Sequence, residues 1–145
     1  MRAFLSWANA STEMKPNLPQ SLLRLIANAN GVQAALRKYS EIKTASLSEY
    51  ELRDDSLTHL GYELLECART NDAIRVFKRD ILEHQKSWKA YNALVDAYQH
   101  AGKTDLAIHY YEMSVELNPS NENGIDMLRK LKRKTRSRSC NIPLP

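Results

Sequence analysis

The chain has 145 residues, enough for one domain with a real core and too few for two. Hydrophobic residues make up 43% and charged residues 26%, with only 4 Gly and 5 Pro, a balance that favours packed helices over a turn-rich β fold. The formal charge of +4 divides unevenly: Arg129–Arg138 holds seven basic residues and no acid, leaving 14 basic against 17 acidic residues in 1–128, which gives the body no case as a nucleic-acid surface.

No apolar run approaches the roughly 18–20 residues of a membrane span. The opening "MRAFLSWANAS" is too short and too interrupted for a secretory signal. Cys67 and Cys140 lie far apart, build neither a disulfide framework nor a CxxC metal spacing, and point to a reducing cytoplasm.

In chain order, residues 1–15 read as a loose segment. "LLRLIANANGVQAALRKY" then places Leu22, Ile26, Ala35 and Tyr39 as the apolar positions of a degenerate helix pair over 16–45. Next comes a repeat at an offset of 34 residues. Leu57 falls over Tyr91, Leu60 over Leu94, Leu64 over Tyr98, Ala73 over Ala107, Ile74 over Ile108 and Phe77 over Tyr111. Gly61 over Val95 and Ala68 over Gly102 are looser matches. Each copy, 48–87 and 88–120, reads as helix, short turn, helix.

In the first copy "SEYE", Ser48 to Glu51, fits a capping box that opens a long helix, and Thr70 or Asn71 caps the second. In the later copy Ser87 is the N-cap and Gly102 the left-handed closing residue. Thr104 caps the following helix, which carries Ala107, Ile108, Tyr111 and Leu117 and stops before Pro119. Ala73 and Ala107 predict a notch where two antiparallel helices approach, helped by Gly61, with Phe77 or Tyr111 filling the space one turn along. Ile125, Leu128 and Leu131 predict a closing helix over 121–134, followed by a loose basic tail over 135–145.

This arrangement resembles the tetratricopeptide repeat. In the later unit Tyr91, Leu94, Tyr98, Gly102, Ala107, Tyr111, Ser114 and Pro119 stand at the signature places; the earlier unit keeps Leu57, Leu60, Gly61, Leu64, Ala73 and Phe77. It departs at Asp80, normally a small residue, and at Gln85, normally the closing proline. The first unit departs in spacing, since Ala35 to Ala73 is 38 residues. The resemblance implies an all-α, right-handed stack of antiparallel helix pairs with a C-terminal capping helix. A narrower similarity, covering roughly residues 14–132, is to the helical extension behind bacterial serine hydrolases and esterases. Only about 15 residues precede the helices, so the implied role is a detached helper, with no hydrolysis assigned to the chain.

Motifs for catalysis are absent from the sequence: no GxSxG, HExxH, P-loop or GxGxxG. His59, His84, His100 and His109 lack carboxylates at motif spacing and read as helix-surface residues. Cys67, among Leu64, Leu65 and Ala68, reads as a buried small apolar residue. No cofactor or metal is expected.

What a stack of helix pairs offers is a concave face. Counting along the family pattern places Asp55, Thr58, Tyr62 and Leu65 there from one repeat, and Lys89, Asn92, Asp96 and Gln99 from the next. The Lys/Asn/Arg clamp by which that family grips a peptide carboxylate has Thr58, Tyr62, Asn92 and Asp96 at its lysine and asparagine places, so it is missing here. Asp55 and Asp96 suit a basic or neutral segment better. The plain alternative is a merely solvated face.

The sequence therefore predicts a non-enzymatic module that binds a protein or peptide partner. An accessory piece of a hydrolase system acting in trans is the second reading, and a basic-tailed nucleic-acid binder the weakest. Exposed ends on so short an array also predict self-association.

Overall fold

The computed structural model describes residues 20–45 and 53–139, and every regular element among them is an α-helix. These are α1 (Gln20–Asn30), α2 (Val32–Thr44), α3 (Ser56–Glu66), α4 (Thr70–Glu83), α5 (Trp88–His100), α6 (Thr104–Leu117) and α7 (Glu122–Ser139). None is long and apolar enough to cross a membrane. The segment 1–15, Ser48, Glu51 and Cys140 lie outside the described residues.

Each helix packs on the next in the pairs α1–α2, α3–α4, α5–α6 and α6–α7, and α4 packs on α5. Contacts between alternate helices, α1 with α3, α3 with α5 and α2 with α4, join the pairs. Within a pair the direction reverses. Thr58, near the start of α3, bonds Asp80 near the end of α4, and Asn92 in α5 bonds Ser114 in α6 in the same way.

Small residues set the approach. Ala35, Ala73 and Ala107 are all 0% exposed, as the notch reading requires. Beside Ala73 lies Phe77, also fully enclosed, with its ring over Gly61: a Cβ built there would sit 2.2 Å from Phe77 Cε1. Leu23, Leu57, Leu60, Leu64, Leu94 and Val95 are among the residues buried with them in the core. Each leucine or phenylalanine hidden this fully is worth about 1.5–3 kcal/mol.

The helix boundaries follow from the turns. After α3 the amide of Ala68 donates to Leu65 O at 2.9 Å and that of Arg69 to Leu64 O at 2.8 Å. After α5, Gly102 donates to Gln99 O at 3.0 Å and Lys103 to Tyr98 O at 2.9 Å. Both are Schellman closures with a left-handed residue: Gly102 at φ 69° and, in the equivalent place, Ala68 at φ 58°. Only three residues separate the helices, so Arg69 and Lys103 finish one closure and serve at once as the N-cap of the next helix. Thr70, Asn71 and Thr104 are therefore not caps. Ser87 does hold the N-cap of α5, though without a side-chain bond to the helix.

Other expectations change. The helix opening at Ser56 replaces the longer one expected from Ser48, with Asp55 at its N-cap after a turn at Asp54. Cys67 is exposed, because the chain has already left the helix at its C-cap. Leu117, at the last turn of α6, is 40% exposed, and the apolar side of that helix ends on Val115. Helix α7 continues past residue 134 to Ser139, so the basic run that reads as a loose tail in sequence is helical that far.

Polar groups tie the first pair to the second. The Arg69 guanidinium donates to Ala27 O at 3.2 Å and Asn28 Oδ1 at 2.8 Å, closing the C-terminal end of α1, while Asp72 accepts from the same side chain at 2.9 Å. Across α2 and α4, Glu83 accepts from Lys43 and from Arg79, the latter at 2.7 Å. Lys43, with Arg79 beside it, holds the Glu83 carboxyl below its ordinary range against the opposing effect of burial. Burial, with the charges of Glu83 and Asp80 nearby, pushes the Tyr39 phenol up to about 12.

Candidate functional site: a cleft between equivalent helices

Helix α3 and helix α5 lie side by side, and residues four apart on each fall on one face. Tyr62, Leu65 and Glu66 from α3 meet Asp96, Gln99 and His100 from α5 around a cleft of about 460 Å³. The two triplets are equivalent, each residue of the second lying 34 positions after its counterpart in the first.

Tyr62 is the fixed wall. Its hydroxyl donates to Asp96 Oδ2 at 2.9 Å. Its ring meets Phe77 edge to face, with centroids 5.3 Å apart and planes at 66°. Gly61 thus makes room for Phe77, Phe77 braces Tyr62, and Tyr62 fixes Asp96. The ring remains 39% exposed, so its outer face is open to the cleft.

Electrostatics follow from this enclosure. Burial raises the Asp96 carboxyl above its ordinary value, although the Tyr62 bond and the His100 charge both work to lower it. Asp96 is exposed as a residue at the cleft mouth, yet the walls remove enough water from its carboxylate for desolvation to prevail. Burial also raises the Tyr62 phenol, and the charge and hydrogen bond of Asp96 add to it. That hydroxyl is a donor rather than a base. Neither Asp96 nor Glu66 has a Lys or Arg ion-pair partner among the described residues, where seven other carboxylates do.

Of the eight positions counted onto the concave face, four line this cleft: Tyr62, Leu65, Asp96 and Gln99. The other four stand elsewhere. The Thr58 hydroxyl donates to Asp80. Asn92 Oδ1 lies 2.6 Å from Ser114 Oγ, which also reaches Trp88 O at 3.1 Å, its one proton serving either acceptor. Both bonds span 22 residues, so the two helix pairs carry the same polar stitch at the same place. Asp55 pairs with Arg53 at 3.0 Å at the mouth of α3, and Lys89 lies 5.9 Å from the Trp88 ring.

Asp80, out of pattern in sequence, belongs to that stitch. It is 1% exposed and accepts from Thr58 and from His84 Nδ1 at 2.8 Å. His84 thus has a buried carboxylate partner one turn back, a pairing the motif spacings did not suggest. Glu66 and His100 are the cleft residues that counting missed. Their signal was present, since each stands four residues after Tyr62 or Asp96.

Among the described residues no three His, Cys, Asp or Glu side chains converge as metal ligands would. What the cleft offers is a braced aromatic face, an apolar side chain at Leu65, two carboxylates without a Lys or Arg partner among the described residues, and the Gln99 amide. Such a surface can grip a side chain and hydrogen-bond a backbone. Compared with known proteins, the chain matches no family model and no curated protein.

Proposed function

We propose that this chain is a protein-binding module of the tetratricopeptide type, without enzymatic activity, which holds an extended segment of a partner on its concave face. The pairs α1–α2, α3–α4 and α5–α6 form a right-handed stack, and α7 covers α6 at its end. The 34-residue offset, the buried Ala73 and Ala107, and the contacts between alternate helices all support this arrangement. The cysteine usage of the sequence supports work in a reducing cytoplasm.

One observation carries the functional reading: equivalent triplets of consecutive pairs enclose a cleft whose aromatic wall is fixed by the Tyr62–Asp96 bond. A stack that needed only solvated helices would not brace an exposed tyrosine on a buried phenylalanine. The ligand side is neutral or basic, because Asp96 and Glu66 repel an acidic segment. A peptide array spanning basic, neutral and acidic sequences tests this. Binding of basic or neutral peptides that drops at least tenfold in Asp96→Lys and in Tyr62→Ala supports the reading. Peptide binding indifferent to both changes removes it.

A further inference from the structure

Helix α7 turns one face to α6 and the other to solvent. Met127, Leu128 and Leu131 pack against the core, whereas Arg129, Lys130, Lys132, Arg133, Lys134 and Arg136 are all exposed. At about 100° per residue, Arg129, Arg133 and Arg136 fall on one line away from the packed side, with steps of roughly 6 and 4.5 Å along the axis. Arg129 pairs with Asp126 at 3.3 Å and Lys132 with Glu112 at 2.6 Å. Among the described residues Lys130, Arg133, Lys134 and Arg136 pair with no carboxylate.

Stabilising the end of the helix does not account for this charge. The helix dipole acts on the last turn only, and the basic run begins at the eighth residue of an 18-residue helix. Nor does solubility account for it. A surface helix kept soluble gains from alternating signs one turn apart, while like charges at that spacing repel. Four like-charged pairs stand at four-residue spacing here: Arg129 with Arg133, Lys130 with Lys134, Lys132 with Arg136, and Lys134 with Arg138. The fold tolerates a repulsion that a polyanion would relieve.

We propose that the exposed face of α7 binds the phosphodiester backbone of a nucleic acid without reading its bases. Phosphate contacts need only closely spaced cations, and α7 supplies Lys130, Arg133, Lys134 and Arg136, all exposed, within two turns. Base stacking is outside its means, since no aromatic residue lies between Glu122 and Ser139. A bilayer is the poorer match, because an amphipathic helix enters lipid by its apolar face, and here that face is spent on the core. The surface lies on α7, which packs on α6 alone, so it is independent of the cleft between α3 and α5.

The test is fluorescence anisotropy of the full chain on a labelled 20-nucleotide oligouridine and on a 20-base-pair DNA duplex, from 50 to 200 mM salt. If the four unpaired cations release counterions, the logarithmic salt slope on the single strand is roughly −3, so affinity falls about fifty-fold across that range. K130Q/R133Q/K134Q/R136Q should weaken binding at 50 mM salt at least tenfold and flatten the slope, with an unchanged or higher Tm once the repulsion is gone. Should that variant fail to fold, R133Q/R136Q takes its place, with an expected slope of about −1.4. Absence of binding to either nucleic acid at 50 mM salt overturns the proposal. So does binding that the folded variants retain in full, or flotation with phosphatidylserine vesicles by a chain that ignores both nucleic acids.

Discussion

Gly61→Ala adds one methyl group to α3 directly under the ring of Phe77. The new Cβ would meet Phe77 Cε1, Cζ and Cδ1 at 2.2, 2.5 and 2.7 Å, all well inside contact distance. Phe77 is fully enclosed and Tyr62 blocks its edge, so the ring has no free direction in which to yield. Overpacking of this kind costs about 1–3 kcal/mol, and three close contacts argue for the upper half of that range. Alanine returns about 1 kcal/mol of helix propensity. The net loss is about 1–2 kcal/mol, or roughly 3–8 °C in Tm for a chain of this size. Urea unfolding followed by circular dichroism measures it directly. In a Phe77→Leu background the ring is gone and the same alanine should be neutral or favourable, so a double-mutant cycle gives a coupling of about 1–3 kcal/mol. A Tm that rises in the single variant, or a coupling near zero, refutes the packing argument.

Ala68→Gly should stabilise the fold by about 0.5–1 kcal/mol, because glycine relieves the left-handed strain at φ 58° and returns part of the gain as unfolded-state entropy; thermal denaturation reads the shift, and a fall in Tm counts against it. Ala107→Leu fills a site with 0% exposure and should cost about 1–3 kcal/mol in the same assay, with an unmoved midpoint as the contrary result. Glu83, held below its ordinary carboxyl value by Lys43 and Arg79, contributes stability that is present above the unfolded value of about 4.3 and is lost as the pH falls through the lower folded value. Lys43→Met should therefore reduce the loss of urea midpoint between pH 6 and pH 3, and a pH profile identical to the parent chain would contradict that assignment.

Periodicity made the packing legible. Ala73, Ala107, Gly61 and Phe77 could be placed because a small residue recurring at a fixed offset beside a large one has few explanations other than close approach. Ser87 and Gly102 were legible as caps, but the N-caps of α4 and α6 were not, and the reason is physical. With three residues between helices, the Schellman closure sets the chain's direction on its own, so Arg69 and Lys103 can stand where a serine or threonine is expected. Cys67 was misplaced for the same reason, since its neighbours are helical and apolar while it already belongs to the turn. At the cleft, counting along the repeat found Tyr62, Leu65, Asp96 and Gln99. It also included Thr58 and Asn92, whose partners Asp80 and Ser114 lie 22 residues on and claim them for the interior of each pair.

The Arg69 guanidinium bears on how the molecule comes apart. It reaches back over 40 residues to seal the carbonyl end of α1, in the one place where the repeat spacing is irregular. The amino-terminal hairpin thereby shares its opening with the turn that starts α4, and a disturbance at that turn is felt as fraying 41 residues upstream, at Asn28. Cooperativity between these hairpins thus runs through this forked side chain and the Lys43–Glu83 pair as well as through the apolar spine.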